Sequence, residues 1–483
     1  MTIKKTAISG IKWTTLGTSG TAIIQLLKVS VLTRFLPKEA FGLVAITLFL
    51  VTFSNIFLDM GITSAILHKQ NSTKNEFSSI YWFNIFISII IYFALFIGAP
   101  LFSKFYEEPE LKKLIPLLGI NLLFIAIGKL HRTTLQKQFQ FKSIVIVELF
   151  SYSLGLGFSI ILAIKNFGVY SLVYSTLFST LLSNGLFLIQ NLQLNPIRFH
   201  FRLSETKPFL KIGIYNMGSV ILDFFSREVD IIIIGKTFGV ENLGVYSLAK
   251  QIVAKVFTAV NPIILNVFNP IFSSIQSDVN RLRYYYNKVT NILTAINTPI
   301  YLLIIVLSKE VLIILYGENY MMGYNILNFL SIYFLLNTII RPIGSLQIAT
   351  GRTDVGLKWS LVRFIITLIV IYFASLFNNI NIVAASMALI SMISILIAWK
   401  IMLEPMVHIQ FKEYIRQYIS PLLLLGIISV IHYIISDLKF LNEGMVISII
   451  FKVTISMFLY FGLLRIIDRI TLKNMVSLLL NLK

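Results

Sequence analysis

Cysteine is absent from this chain, and charged residues make up only 13% of it. The absence of cysteine excludes disulfides, thiolate metal sites and a cysteine nucleophile. Histidine is scarce as well: there are five, and no two stand four positions apart, so a zinc site is not expected. We therefore expect no metal and no other cofactor. A soluble domain carries about 25% charged residues, so this chain has too few to cover a surface that faces water.

Long apolar runs take the place of charge, and hydrophobic residues make up 57% of the chain. A run of about 18 residues or more crosses a hydrocarbon core of about 30 Å as a helix. In lipid the backbone must satisfy its own hydrogen bonds, which favours helices over open sheet. The sequence thus predicts an all-α integral membrane protein with about 14 transmembrane helices. The candidate spans are 13–36, 40–62, 80–103, 114–130, 143–164, 168–190, 211–235, 243–268, 289–308, 323–349, 358–376, 382–403, 418–435 and 446–465.

Two of these spans need comment. The first follows a short basic N-terminus and has no A-x-A-like cleavage site, so we interpret it as a span and not as a removed signal peptide. The fourth is expected to be the weakest, because Pro116 and Gly119 lie in its first turns.

The formal charge of +20 is distributed unevenly along the predicted loops. If the N-terminus is cytoplasmic and the spans alternate, the inner segments hold 25 basic and 7 acidic residues, and the outer segments 8 and 9. Cytoplasmic loops are enriched in lysine and arginine, so we expect both termini in the cytoplasm. The basic excess is then a topology signal, and no nucleic-acid partner is expected.

A short motif occurs twice at a constant offset of 202 residues. RFLPKEAFG at 34–42 and KTFGVENLG at 236–244 share a cation, a glutamate, an apolar residue and a glycine. Duplicated halves that face a midplane site are a recurrent plan of transporters. We therefore predict an N-terminal lobe of spans 1–6 at 1–195 and a C-terminal lobe of spans 7–12 at 196–405. Spans 13 and 14 and a cytoplasmic tail would follow at 406–483.

Setting aside the loop charges, which include those at the span ends (Lys129, Lys211, Lys358, Lys400 and Arg465), leaves thirteen charged residues inside the predicted spans, and cations exceed acids by three. A cavity of that sign favours an anionic substrate, with lysine and arginine as partners of phosphate. A proton or sodium ion is the coupling partner that the acids suggest. The candidate substrate-binding cations are Lys28, Arg34, Arg227, Lys250, Arg341 and Arg363; the coupling or gating candidates are Asp59, Glu148, Asp223, Glu228 and Asp230; Lys255 and Lys452 complete the set.

Span 7 is the richest in charge. Asp223, Arg227 and Asp230 follow the spacing i, i+4, i+7, so they share one helical face and can pair locally. The stripe is either self-neutralised and merely fixes the helix against its neighbours, or part of a coupling or gating site. In span 10, Arg341 precedes Pro342, where a break in the helix would present free backbone groups.

Several stretches, in order and with their spacing kept, resemble the Wzx-type polysaccharide transporters of the multidrug/oligosaccharidyl-lipid/polysaccharide exporter superfamily. The branch is the one that serves lipopolysaccharide, colanic acid and teichuronic acid export. The matching stretches are LTRFLPKEAFG at 32–42, DMGITSAIL at 59–67, REVD at 227–230, IGKTFG at 234–239, LGVYSLA at 243–249, PIG at 342–344 and ATGR at 349–352.

The resemblance implies fourteen helices in two pseudo-symmetric lobes plus two C-terminal helices, in the bacterial cytoplasmic membrane. It also implies alternating access that flips undecaprenyl-diphosphate-linked oligosaccharide through a cation-lined cavity. Membrane lipid and a polysaccharide polymerase complex are the further partners that it suggests.

Three other functions are weighed against this one. A peptidoglycan-precursor lipid flippase would suit the same cationic cavity. A cation-coupled multidrug antiporter of the same superfamily would need a net acidic cavity, which the charge count opposes. A membrane polymerase or ligase would need a substantial outer loop with catalytic residues, and none is predicted, so we expect no enzyme.

Overall fold

The computed structural model describes residues 3–59, 63, 66, 73–192, 195–435 and 444–481. Helices account for almost all of these residues, and no strand occurs among them, which confirms the all-α prediction. The stretch at 59–67 falls largely outside the described residues, as do Lys69, Asp437, Lys439 and Glu443 of the loop-charge count. The chain forms two compact units, Met1–Ser247 and Leu248–Lys483.

The first unit contains seven long helices among its described residues and the beginning of an eighth. In this unit α4 packs against α3 and α6, and α5 packs against α6 and α1. The helices are α1 (Ile3–Leu32), α2 (Lys38–Asp59), α3 (Lys74–Tyr106), α4 (Leu111–Lys137), α5 (Phe141–Ile164), α6 (Tyr170–Leu192), α7 (Leu203–Thr237) and α8 (Gly239–Ser274).

The second unit takes in most of α8 and repeats part of this arrangement: α11 packs against α9 and α13, and α12 packs against α13. Spans 9 to 12 thus have the neighbours that spans 3 to 6 have, as a duplication would produce. The remaining helices are α9 (Val279–Val306), α10 (Ser308–Tyr316), a 3-10 turn (Glu318–Gly323), α11 (Tyr324–Thr350), α12 (Thr353–Ser375), α13 (Ile380–Ala398), a π turn (Trp399–Leu403), α14 (Glu404–Val407), α15 (Phe411–Arg416), α16 (Ile419–Ile435), α17 (Met445–Ile467) and α18 (Arg469–Asn481).

Twelve segments of the described chain are long and apolar enough to cross a membrane. The two predicted spans outside this set are the seventh and the thirteenth. The seventh lies in α7, whose 35 residues include the charged stripe, and the thirteenth lies in α16, an apolar helix of only 17 residues. Length and composition therefore support twelve spans, and the count of fourteen remains a prediction.

Helices α4 and α11 differ from their predicted spans. The fourth span is an unbroken helix that begins at Leu111 and continues to Lys137, beyond the apolar run. The helix break considered at Pro342 does not occur, since α11 is continuous across it. Proline removes one backbone donor, and in α11 this loss does not interrupt the helix.

The segment between α6 and α7 is held against α3. Trp82 donates its indole N–H to the carbonyl oxygen of Arg198 at 2.9 Å, and Ser79 Oγ accepts the backbone N–H of Arg202 at 3.1 Å. Ser79 also donates to Glu205 at 2.6 Å, and His200 lies 3.1 Å from the same carboxylate. These two contacts lower the pKa of Glu205, so this carboxylate stays ionised at neutral pH.

Glycines set the closest helix contacts within the first unit. At Gly128 of α4, a β-carbon would lie 2.5 Å from both the Cα and the carbonyl oxygen of Asn184 in α6. Small residues let membrane helices approach backbone to backbone. Gly157 of α5, by contrast, has no neighbouring atom within 4 Å of such a carbon.

We expect Gly128→Ala to destabilise the protein, because the added methyl must push α4 and α6 apart. Overpacking of this kind costs about 1–3 kcal/mol, which exceeds the gain of about 1 kcal/mol in helix propensity. Gly157→Ala is the matched control and should be neutral or stabilising. Thermal unfolding of the purified chain in detergent measures both, and equal midpoints for the two variants would contradict this helix contact.

Candidate functional site

Helix α4 supplies cations to two of the predicted coupling carboxylates. Lys129 Nζ lies 2.6 Å from Asp59 of α2, and Arg132 Nη2 lies 2.8 Å from Glu148 of α5. Lys129 and Arg132 are three residues apart, so they share one face of α4. The structure therefore brings Asp59 and Glu148 to adjacent turns of a single helix.

Lys129 and Arg132 are site residues that sequence reasoning missed, because it placed both in a cytoplasmic loop. They belong to α4, which runs on past the apolar run. The available signal was their i, i+3 spacing at the end of a span, next to two spans that each carry a lone carboxylate.

The stripe on α7 divides into two parts. Arg227 Nη2 lies 3.1 Å from Asp223, which confirms the predicted local pair, and both side chains are partly exposed. Asp230 is fully buried, and its carboxylate accepts a hydrogen bond from the Tyr246 hydroxyl at 2.7 Å. Glu228 lies half-buried on the same helix.

The two candidate cations of α1 and its C-terminal turn occupy different surroundings. Lys28 donates to the Thr176 hydroxyl of α6 at 3.2 Å, so it reaches into the first unit. Arg34 follows the end of α1 and is exposed. Lys28 is therefore turned toward a neighbouring helix, and Arg34 toward the surface.

In the second unit, Arg363 of α12 is buried and donates to the Asn337 side chain of α11 at 2.9 Å. Asn337 in turn donates to Ser391 of α13 at 2.9 Å. Arg341 stands one turn after Asn337 on the same face of α11. Its guanidinium carbon lies 5.9 Å from the centre of the Phe257 ring.

Lys250 of α8 belongs to this unit as well and is 8% exposed. The unit thus contains three of the six candidate substrate cations. Two of them, Arg363 and Lys250, are buried, and Arg341 is exposed.

An ion pair joins Lys452 of α17 to Glu310 of the short helix α10. Both side chains are largely buried, at 18% and 14% exposure. On the next turn, Ser456 lies 2.8 Å from the imidazole of His432 in α16. Lys452 and Ser456 of the fourteenth predicted span therefore face neighbouring helices. The loop-charge count assigns Glu310 to an outer segment, whereas α10 places this residue against α17.

Charged and polar side chains from many helices thus meet inside the two units. Lysine and arginine in such surroundings bind anions, and arginine binds phosphate through two parallel hydrogen bonds. Within the described part of the chain, no three His, Asp or Glu side chains are grouped so that they could hold a metal ion.

Long apolar helices that hold charged side chains between them define a polytopic membrane protein. The chain belongs to the family described as "Polysaccharide biosynthesis protein", whose sequence profile matches residues 31–324. The predicted resemblance to polysaccharide transporters is thereby confirmed.

Similar proteins include the teichuronic acid biosynthesis protein TuaB of Bacillus subtilis, which is 28% identical over 90% of both chains. The lipopolysaccharide biosynthesis protein WzxC of Escherichia coli is 24% identical over 86% of this chain and 84% of its own. Among solved structures, the lipid II flippase MurJ in an inward closed conformation has the same fold, with a TM-score of 0.77 and 15% identity over 94% of this chain and 98% of that one. The chain is a multi-pass protein of the bacterial cytoplasmic membrane.

The Lys452–Glu310 pair gives a direct test of the charge pairing described above. Lys452→Met should lower the free energy of unfolding by about 3 kcal/mol, because Glu310 is left as a charge without its cation in a poorly solvated site. Lys452→Met combined with Glu310→Met should recover most of the loss.

The pair Lys400–Glu404, whose side chains are 65% and 42% exposed, is the matched control. A double-mutant cycle on this pair should give a coupling energy below about 1 kcal/mol. Denaturant titration of the purified variants measures both double-mutant cycles. A coupling no larger for Lys452–Glu310 than for Lys400–Glu404 would refute the buried pairing.

Proposed function

We propose that the chain flips undecaprenyl-diphosphate-linked oligosaccharide repeat units from the inner to the outer leaflet, for export of surface polysaccharide. The observation that carries this proposal is the set of interior cations, notably buried Arg363 and Lys250, in a chain of the polysaccharide biosynthesis family. A diphosphate needs such cations. A polyprenyl tail needs none, and it remains in membrane lipid.

The proposed cycle is alternating access between the lobes at 1–195 and 196–405, with 406–483 as the appended C-terminal part. Fourteen spans with both termini in the cytoplasm account for the excess of basic residues in the inner loops. The recurrence of the same helix neighbours in spans 3–6 and 9–12 supports two related halves. The proposed diphosphate ligands are Lys28, Arg34, Arg227, Lys250, Arg341 and Arg363.

The carboxylates are proposed to couple the cycle to a proton or a sodium ion. Asp59, Glu148 and Asp223 each have a cation within ion-pair distance. Neutralising one of them would weaken its hold on that cation, which could then bind phosphate. Asp230, buried against Tyr246, and Glu228 are the other two candidates.

A peptidoglycan-precursor lipid flippase is the second candidate, because the lipid II flippase MurJ has the same fold. Both substrates present a diphosphate, so the saccharide distinguishes the two. A multidrug antiporter is disfavoured by the surplus of cations inside the spans. A carrier of this kind needs no catalytic residue, so we do not propose an enzyme.

Transport in reconstituted vesicles tests the function. Vesicles with the chain should make a fluorescent polyprenyl-diphosphate oligosaccharide accessible to an external glycosidase faster than empty vesicles do. Arg363→Gln should slow this transfer about tenfold or more, since a hydrogen bond to a charged group contributes about 1.5–3 kcal/mol, and Arg363→Lys, which keeps the charge, should retain part of the rate.

Arg281→Gln is the matched control, because that side chain is 70% exposed, and it should flip at the wild-type rate. Thermal midpoints of the variants check that each is folded. If vesicles with the wild-type chain transfer no faster than empty ones, the proposed flipping is refuted. If they transfer lipid II but no other lipid-linked oligosaccharide, the second candidate is favoured.

A further inference from the structure

The two copies of the repeated motif lie against each other within the first unit. One copy, 34–42, leads into α2, and the other, 236–244, joins α7 to α8. Gly239 has a φ of 78°, a left-handed conformation that glycine adopts readily and that allows this tight turn. The sequence predicted the repeat but not the contact between its copies.

The contact is reciprocal. A β-carbon at Gly42 would lie 1.9 Å from the carbonyl oxygen of Val240, and one at Gly244 would lie 2.1 Å from the carbonyl oxygen of Lys38. Adding 202 converts Lys38 to Val240 and Gly42 to Gly244, so one contact is the image of the other. Such mutual pairing is the mark of a local two-fold axis. We name these four residues the glycine seam.

The seam is apolar at its centre and charged at its edge. Ala40, Leu43 and Leu243 beside it are buried. At the edge, Lys38 Nζ lies 3.3 Å from Glu241, whose side chain is 55% exposed.

A second ion pair lies at the end of α3. Lys236 Nζ lies 2.8 Å from Glu107, the residue that follows this helix. The hydrogen bond from Lys236 lowers the pKa of Glu107, which keeps the pair ionised at neutral pH.

Only the centre of this seam can separate without repacking side chains, since Leu43 and Leu243 beside it are buried and Phe49 of α2 packs on Phe224 of α7. Its centre consists of backbone against backbone, and glycine has no side chain to disengage. Lys38 is 20% exposed and Glu241 55%, so this pair is partly solvated. Ion pairs open to solvent contribute about 0–1 kcal/mol each, so the edge holds the seam only weakly. Domain motions in proteins occur at interfaces that can adopt two discrete packing arrangements.

The seam also differs from the Gly128 contact in what it joins. Gly128 meets Asn184 inside the proposed lobe 1–195, and such a contact persists when lobes move as bodies. The seam joins one copy of the repeat to the other, across the proposed lobe division. In alternating access, contacts of this second kind are the ones that must form and part.

We propose that the glycine seam is the outer gate of the transport cycle, closed in this structure and parted when substrate leaves for the outer leaflet. The proposal rests on the proposed flippase function and on the outer location of 34–42 and 236–244. It assigns Gly42 and Gly244 the role of letting the gate close, and Lys38 and Glu241 the role of a weak latch.

A reversible cross-link tests the gate, since the natural chain has no cysteine. Lys38→Cys with Glu241→Cys, in the full chain in vesicles, is treated with a short, reducible bifunctional thiol reagent. Flipping should fall more than tenfold and return on reduction. The control pair Lys400→Cys with Glu404→Cys, one turn apart on one helical segment, should flip at the same rate before and after treatment.

Undiminished flipping by the cross-linked seam would overturn the gate while leaving the flippase intact. A wild-type chain that does not flip at all would overturn the flippase instead. The two failures are therefore distinguishable.

A second measurement needs no transport. Leu243→Cys places a thiol at a fully buried position beside the seam. In intact cells, Gly42→Ala should raise its rate of labelling by a membrane-impermeant maleimide about tenfold, because the added methyl keeps the seam from closing. Gly157→Ala should leave the rate unchanged, and equal rates in the two backgrounds would overturn the proposal.

Discussion

An ionisable side chain inside a bundle that faces hydrocarbon must find its partner within the protein, because lipid offers none. A central charge costs about 2.5–3.5 kcal/mol on insertion scales, and this chain has many. Ion pairs such as Asp59–Lys129, Glu148–Arg132 and Glu310–Lys452 meet that demand. Each pair joins different helices, so these charges also fix which helices are neighbours.

Two kinds of contact follow from this constraint. Polar pairs hold helices together inside each unit, and glycines such as Gly128 let helix backbones approach closely. The seam at Gly42 and Gly244 uses the same close approach but relates the two copies of the repeat. A carrier needs both kinds, since part of it must stay rigid while another part opens and closes.

The sequence predicts the helical class, the family and the positions of the apolar runs, because each depends on local composition or ordered motifs. It also predicts the Asp223–Arg227 pair, which depends only on spacing along one helix. It does not predict that Lys129 reaches Asp59, or that Asp230 is buried against Tyr246, because these contacts depend on which helices meet. It misjudges α4 because hydropathy locates the apolar part of a helix and not its polar end. The lobe boundaries and the roles of the site residues remain predictions.

The flippase account is tested most directly in cells that lack the chain, by extracting polyprenyl-diphosphate saccharides and asking with an external glycosidase which leaflet holds them. The account predicts that complete repeat units accumulate in the cytoplasmic leaflet and that the wild-type chain, but not Arg227→Ala, relieves this. Unchanged amounts and distribution of these lipids, with altered sensitivity to cationic drugs, would contradict the account.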